Sequence, residues 1–252
     1  MSSEQSAKRR VLLKLSGDCF SGSSPSGLDA EAISAIADEL ADAAEAGVEV
    51  AVVVGGGNII RGSSLARRIG VIKPTTADYM GMLATVVNAL ALQDAVEREG
   101  VETRVLTAIR MEEVAEPYIR RRAARHLEKG RVVILAAGIG SPCVTTDTAA
   151  ALRAVELGAS MLLKATRVDG VYSDDPERNP HAVRYEHVTY EQVLQQRLSV
   201  MDATAISMAR EHQLPILVFS FRRPGNIRRA LLGERIGTLV SEGELEPAAE
   251  LS

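Results

Sequence analysis

Residues 51–62 read Ala51-Val52-Val53-Val54-Gly55-Gly56-Gly57-Asn58-Ile59-Ile60-Arg61-Gly62. The β-branched run Val52, Val53 and Val54 predicts a buried strand, and it stops at three consecutive glycines. Without Cβ atoms, Gly55, Gly56 and Gly57 let backbone N–H groups close around an oxyanion. Arg61 adds a guanidinium whose fork of donors matches phosphate geometry. A strand followed by a plain turn would account for two glycines. Three glycines with an arginine four residues on point instead to a phosphate site at a strand's carboxyl end.

Outward from this stretch, strand-like and helix-like segments alternate. Strands are expected at 11–15, 48–54, 103–106, 131–137, 160–164 and 216–221. Helices are expected at 28–46, 77–99, 114–129 (interrupted early by Pro117), 146–157, 189–196, 203–212 and 226–232. Such alternation predicts an α/β fold, a three-layer αβα sandwich around a central, mainly parallel sheet. No repeat or long linker divides the chain. One domain is expected over 9–241, with flexible tails at 1–8 and 242–252. Open sheets of this kind bind ligands at the carboxyl ends of their strands, and the unusual loops all fall there: Ser16-Gly17, Gly55-Gly56-Gly57, 138–147 and 165–175.

Composition narrows the function classes. The 252 residues are 46% apolar and 25% charged, with a net charge of −4, which argues against a nucleic-acid-binding fold. Aromatics make up 3% and tryptophan is absent, so base-stacking platforms are not expected. No apolar run is expected to reach the roughly 20 residues of a membrane span. The polar start, MSSEQSAKRR, reads as no signal peptide, so a cytoplasmic location is expected. Cys19 and Cys143 lack metal or redox spacing, and the four histidines show no ligand pattern, so no protein metal site is expected.

Lys14 lies in an otherwise apolar strand just before Leu15-Ser16-Gly17, and Lys164 repeats the arrangement at the end of Met161-Leu162-Leu163. A strand-interior lysine either snorkels from an edge or meets an anion. Two of them aimed at one rim favour the anion. In Gly138-Ile139-Gly140-Ser141-Pro142-Cys143-Val144-Thr145-Thr146-Asp147, Thr145, Thr146 or Asp147 can cap the following helix. The same helix start offers N–H groups to an anion, and Asp147 can orient a lysine or hold Mg²⁺. Asp78 reads most simply as a first-turn acid complementing its helix dipole, and Arg120-Arg121-Arg122 as a solvated or subunit-facing surface. The chain has no G-x-x-x-x-G-K-[ST] and no protein-kinase motifs. Glycine turns and two lysines suit phosphoryl transfer, which relies on positioning and charge neutralisation.

Several blocks together resemble the bacterial uridylate kinases, enzymes of the amino acid kinase fold that phosphorylate UMP to UDP. These blocks are Lys-Leu-Ser-Gly (14–17), Gly-Gly-Gly-Asn-Ile-Ile-Arg-Gly (55–62), Ala-Asp-Tyr-Met-Gly-Met-Leu-Ala-Thr (77–85) and Lys-Ala-Thr-Arg-Val-Asp-Gly-Val-Tyr (164–172). Further matches are 115–123, Val-Met-Asp-Ala-Thr-Ala (200–205) and Pro-Gly-Asn-Ile (224–227). The resemblance implies ATP contacts at Lys14, Leu15, Ser16, Gly17, Gly57, Arg61, Thr166, Tyr172 and Asp175. It implies UMP contacts at Gly56, Asp78, Ile139, Gly140, Ser141, Pro142, Cys143, Val144, Thr145 and Thr146. Lys14, Arg61, Asp147 and Lys164 would be catalytic, with Asp202 a weaker candidate, and Mg²⁺ would accompany ATP. A homohexamer controlled by GTP or UTP is implied as well.

The chain departs from that pattern twice. Many uridylate kinases carry Gly-Thr-Gly-Asn-Pro-Phe-Phe-Thr-Thr-Asp where this chain has Ile139, Ser141, Cys143 and Val144 at the variable positions. Ile139 offers no side-chain hydrogen bond and Ser141 is shorter than asparagine, so base discrimination is expected to weaken or change. The segment 20–27 replaces an acidic, glycine-rich one, which bears on activation by GTP. A paralogue with another acceptor, and a non-catalytic nucleotide-binding protein on the same scaffold, are the alternative readings.

Overall fold

The computed structural model describes residues 9–60, 70–176 and 178–243. Arg61 and most of the two expected tails fall outside them. Nine strands are described, in the sheet order β4-β3-β5-β2-β1-β6-β8-β9-β7. They are β1 (Arg10–Leu15), β2 (Glu49–Val54), β3 (Thr103–Thr107), β4 (Glu116–Pro117), β5 (Val132–Ala136), β6 (Met161–Thr166), β7 (His187–Val188), β8 (Ile216–Ser220) and β9 (Thr238–Val240). The helices are α1 (Ala30–Glu45), α2 (Pro74–Arg98), α3 (Arg120–Glu128), α4 (Thr146–Leu157), α5 (Tyr190–Gln195), α6 (Ala203–Glu211) and α7 (Asn226–Leu232). Every pairing between these strands is parallel except β8 with β9.

Central strands are buried on both faces, and the period of two divides their side chains between two cores. Val11, Leu13, Leu15, Val50, Val52 and Val54 pack with α1, α2 and α7. Leu12, Ala51, Val53, Leu162 and Val133 pack with α3, α4, α5 and α6. Lys14 and Lys164 alternate with Leu13 and Leu163, so they share the face of Leu12 and Leu162. The expected three-layer sandwich is therefore present.

Three expectations need correction. The helix expected from 114 begins at Arg120, because Pro117 cannot donate to a helix and sits instead in the two-residue edge strand β4. The expectation of no span-length apolar stretch fails at α2. Its 25 residues are long and apolar enough to cross a membrane by length and composition, with mean hydropathy 1.2 over an 18-residue window, 39% of it buried. In the fold α2 lies along β3 and β5 and against α1, burying Ala77, Ala84, Thr85, Asn88, Ala89, Leu92 and Val96. Its outer face leaves Tyr79, Leu83 and Val87 between 46% and 49% exposed. Finally, α2 starts at Pro74, so Asp78 stands in its second turn, beyond the first-turn position where a carboxylate best meets the dipole.

Candidate active site

Parallel pairing of β1 with β6 sets Lys14 directly beside Lys164. Two ammonium groups on neighbouring strands repel one another unless something lies between them. That group is Asp147, in the first turn of α4. Lys164 Nζ donates to Asp147 Oδ2 at 2.7 Å, and Lys14 Nζ stands 2.8 Å from Oδ1 as an ion pair. Each carboxylate oxygen of Asp147 thus faces one ammonium group. Burial pushes the Asp147 carboxyl upward in pKa, but the charges of Lys14 and Lys164 outweigh it and hold it below the usual carboxylate range. Burial also lowers the pKa of Lys164, and Asp147 opposes that shift only in part.

A second carboxylate locks this arrangement from behind. Asp202 caps α6 by accepting the Ala205 N–H at 3.0 Å. It also accepts the Thr148 hydroxyl at 2.8 Å and the Thr145 hydroxyl. Thr145 in turn caps α4, accepting from the N–H groups of Asp147 and Thr148. Of the three residues that suited the cap, the structure selects Thr145. Lys164 Nζ also reaches the Val200 carbonyl in the loop before α6. The two capped helix starts and the two lysines thus form one connected polar unit.

The glycine loops meet at the same rim. A Cβ on Gly17 would lie 2.4 Å from the Gly57 nitrogen, so the loops after β1 and β2 touch backbone to backbone. A Cβ on Gly56 would lie 2.7 Å from the Gly81 carbonyl oxygen and 2.9 Å from Ala84 Cβ. The loop after β2 therefore lies flat on α2. The Leu15 side chain is fully buried; only its main chain faces this region, its carbonyl accepting the Gly55 N–H at 2.8 Å.

Two cavities flank the lysines. One, of ≈ 160 Å³, is lined by Gly56, Gly57, Asp78, Ile139, Ser141, Val144 and Thr146, among others. Its wall is strained: Ala137 and Cys143 carry φ values of 59° and 64°. The wall hangs on α2, since the Cys143 N–H donates to Asp78 Oδ2 at 2.9 Å and the Ala137 N–H to Thr85 Oγ1 at 2.7 Å. Gly140, Pro142 and Thr145 belong to the same loop without lining the cavity. The second cavity, of ≈ 550 Å³, is lined by Arg167, Tyr172, Asp175 and residues of the 196–199 turn. Tyr172 donates its hydroxyl to Asp169 at 2.6 Å, and Thr166 donates its own to the Val168 carbonyl at 2.7 Å. An ion pair of 2.6 Å between Arg167 and Asp18 ties this side to the loop that carries Ser16 and Gly17.

The structure thus gathers Lys14, Ser16, Gly17, Gly56, Gly57, Asp147 and Lys164 on one rim, between a cavity bearing Asp78 and one bearing Tyr172. Sequence reasoning missed Thr85, Asn88 and Thr148. Their signal was a polar residue at an inward position of an otherwise apolar helix face.

The chain matches the model of the amino acid kinase family over residues 9–220. It is 40% identical to a solved UMP kinase from Bacillus anthracis, with a TM-score of 0.89, covering 94% of this chain and 97% of that one. A UMP kinase from Ureaplasma parvum is 38% identical with a TM-score of 0.87, covering 93% and 99%. A uridylate kinase from Archaeoglobus fulgidus is 30% identical with a TM-score of 0.72, covering 92% and 99%.

Proposed function

The chain belongs to the amino acid kinase family, and we propose that it is a UMP kinase, transferring the γ-phosphoryl group of Mg-ATP to UMP. The observation that carries this reading is the register pairing of Lys14 with Lys164 across Asp147, set between two cavities at a rim of glycine loops. The likeness to UMP kinases over more than nine-tenths of the chain supports the choice of acceptor.

In this reading Gly56, Asp78 and residues 139–146 hold UMP, while Ser16, Gly17, Gly57, Thr166, Tyr172 and Asp175 hold ATP. Arg61, outside the described residues, would join them. A phosphate monoester has its second pKa near 6 and is largely dianionic at neutral pH. The attacking oxygen of UMP then needs no proton removed. That fits a site whose central carboxylate is already committed to two ammonium groups. Lys14 and Lys164 neutralise charge on the transferring group, and Asp147 holds them at their spacing. Mg²⁺ enters as part of the nucleotide substrate, bound largely by phosphate oxygens and water.

Residues 9–241 serve as one catalytic unit in this reading, acting in the cytoplasm on the route to pyrimidine nucleotides. The exposed stripe Tyr79, Leu83 and Val87 supports self-association; a homohexamer and control by GTP or UTP extend the reading by resemblance. A coupled ADP-release assay with Mg-ATP against UMP, dUMP, CMP, GMP and AMP tests it. UMP is expected to be the preferred acceptor. Preference for another acceptor, or ATP consumption independent of any acceptor, would overturn it.

A further inference from the structure

Asn88 is fully buried on the inner face of α2, among alanines and leucines that pack on the sheet. An uncharged amide there costs stability unless each of its groups finds a partner. Asn88 Nδ2 donates to the Gly55 carbonyl at 2.6 Å and to Asn58 Oδ1 at 2.7 Å. Asn58 Nδ2 returns a bond to Asn88 Oδ1 at 3.0 Å and donates to the Gly27 carbonyl at 2.8 Å. The Gly27 N–H closes the circuit on the Asn58 carbonyl at 2.9 Å. All four amide hydrogens of the two asparagines are used, and both side-chain oxygens accept.

The circuit has a directional consequence. In a trans peptide the C=O of one residue and the N–H of the next point opposite ways. Drawing the Gly55 carbonyl in towards Asn88 therefore turns the Gly56 N–H away from Asn88, and Gly56 is among the residues that line the smaller cavity. No carbonyl among the described residues takes that N–H. An outward N–H on a glycine loop is a donor for an anion.

We infer that Asn88 is a positioning residue for the acceptor site. Through Gly55 it fixes the Gly56 N–H towards the acceptor's phosphate, and through Asn58 it locks the β1–α1 loop at Gly27 to the same frame. This rests on the proposed kinase reading for its kinetic consequence, but not for its structural one. The ATP-side cavity takes no residue from α2, whereas Asn88 reaches Gly17 only through Asn58, so the larger effect falls on the acceptor.

The test compares wild type with Asn88→Ala and with Asn88→Asp, which keeps shape and volume but cannot donate to a carbonyl when ionised. Folded fraction is set by thermal unfolding, and backbone hydrogen exchange is followed by mass spectrometry. Exchange is expected to rise in peptides covering 55–58 and 20–27 in both variants, while the central strands stay protected. The KM for UMP is expected to rise about tenfold, with the KM for ATP within about twofold of wild type, the loss expected for one or two misdirected donors. A purely structural role would lower kcat with the folded fraction and leave both KM values alone. Unchanged exchange at 55–58, or an unchanged KM for UMP, overturns the inference. If wild type fails to phosphorylate UMP, the kinase reading falls, and the exchange pattern still decides the role of Asn88.

Discussion

The two sides of the rim are built by different means. Lys14, Asp147 and Lys164 stand on strand ends and a helix start, with Lys14 only 7% exposed and each charge answered by another. The wall at 139–144 is a loop, partly exposed and tied to the body by the Gly140 N–H given to the Ala137 carbonyl and the Cys143 N–H given to Asp78, with the Ala137 N–H just before it given to Thr85. Charge placement is therefore fixed by sheet register, which tolerates no slip. The face presented to an acceptor base is fixed by side chains that can change without moving the frame. Chemistry and specificity occupy separable parts of one rim, and substitutions on the two sides should separate turnover from acceptor choice.

The largest effect is expected from the strand ends. Lys14→Ala or Lys164→Ala should lower kcat by roughly 1,000-fold, in line with loss of a preorganised charge at a transferring phosphoryl group. Steady-state kinetics with circular dichroism would check it. If both variants keep turnover within about tenfold of wild type while folded, the strand-end lysines are not the reaction centre, and the division between the two sides disappears.

The lysines were legible in the sequence because a cation in an apolar strand before a glycine turn is unusual wherever it occurs. Their pairing was not, since 150 residues separate the two strands and only the sheet order makes them neighbours. The sheet itself was readable from alternation, and α4 and α7 begin and end where glycines and caps placed them. The short strands β4, β7 and β9 were not readable. Two or three residues carry no periodicity, and their strand geometry comes from the neighbours they pair with. Asn88 was hidden for another reason. A polar residue in a helical pattern reads as solvent-facing until packing shows which side is inward.

A middle-sized effect is expected from Asp147→Asn. Removing one partner of a buried ion pair costs about 3 kcal/mol, and here two ammonium groups lose the same carboxylate. The folded-state pKa of Asp147 is depressed. Its contribution is therefore full above the unfolded carboxylate value near 4 and is lost as pH falls through the lower folded value. Wild type should lose thermal stability on strong acidification faster than the variant does. On the alkaline side the sign reverses. Lys164 already has a lowered pKa through burial, and without Asp147 it should release its proton more readily still. The variant's deficit in Tm should then shrink between about pH 7 and pH 10. A deficit that stays flat across that range would show that the carboxylate does not hold the two lysines together.

The smallest effect is expected from the loop, and it bears most directly on the comparison. Ile139 lines the smaller cavity and can give an acceptor base only apolar contact. Exchanging it for threonine adds one hydroxyl at the cavity wall without touching a strand, a cap or the Asn88 circuit. One new hydrogen bond is worth about 1 kcal/mol, so Ile139→Thr should change the ratio of kcat/KM for UMP over CMP by about fivefold. Turnover with saturating UMP should remain within about twofold, because the charged centre is unaltered. Competition assays with the two acceptors would read the ratio, and Tm would report any disturbance of the frame. A shift in selectivity with constant turnover means that the wall reads the base independently of the chemistry. A fall in turnover equal to the shift would mean that loop and strand ends act as one unit, because the wall would then be setting where the phosphate lies between the lysines.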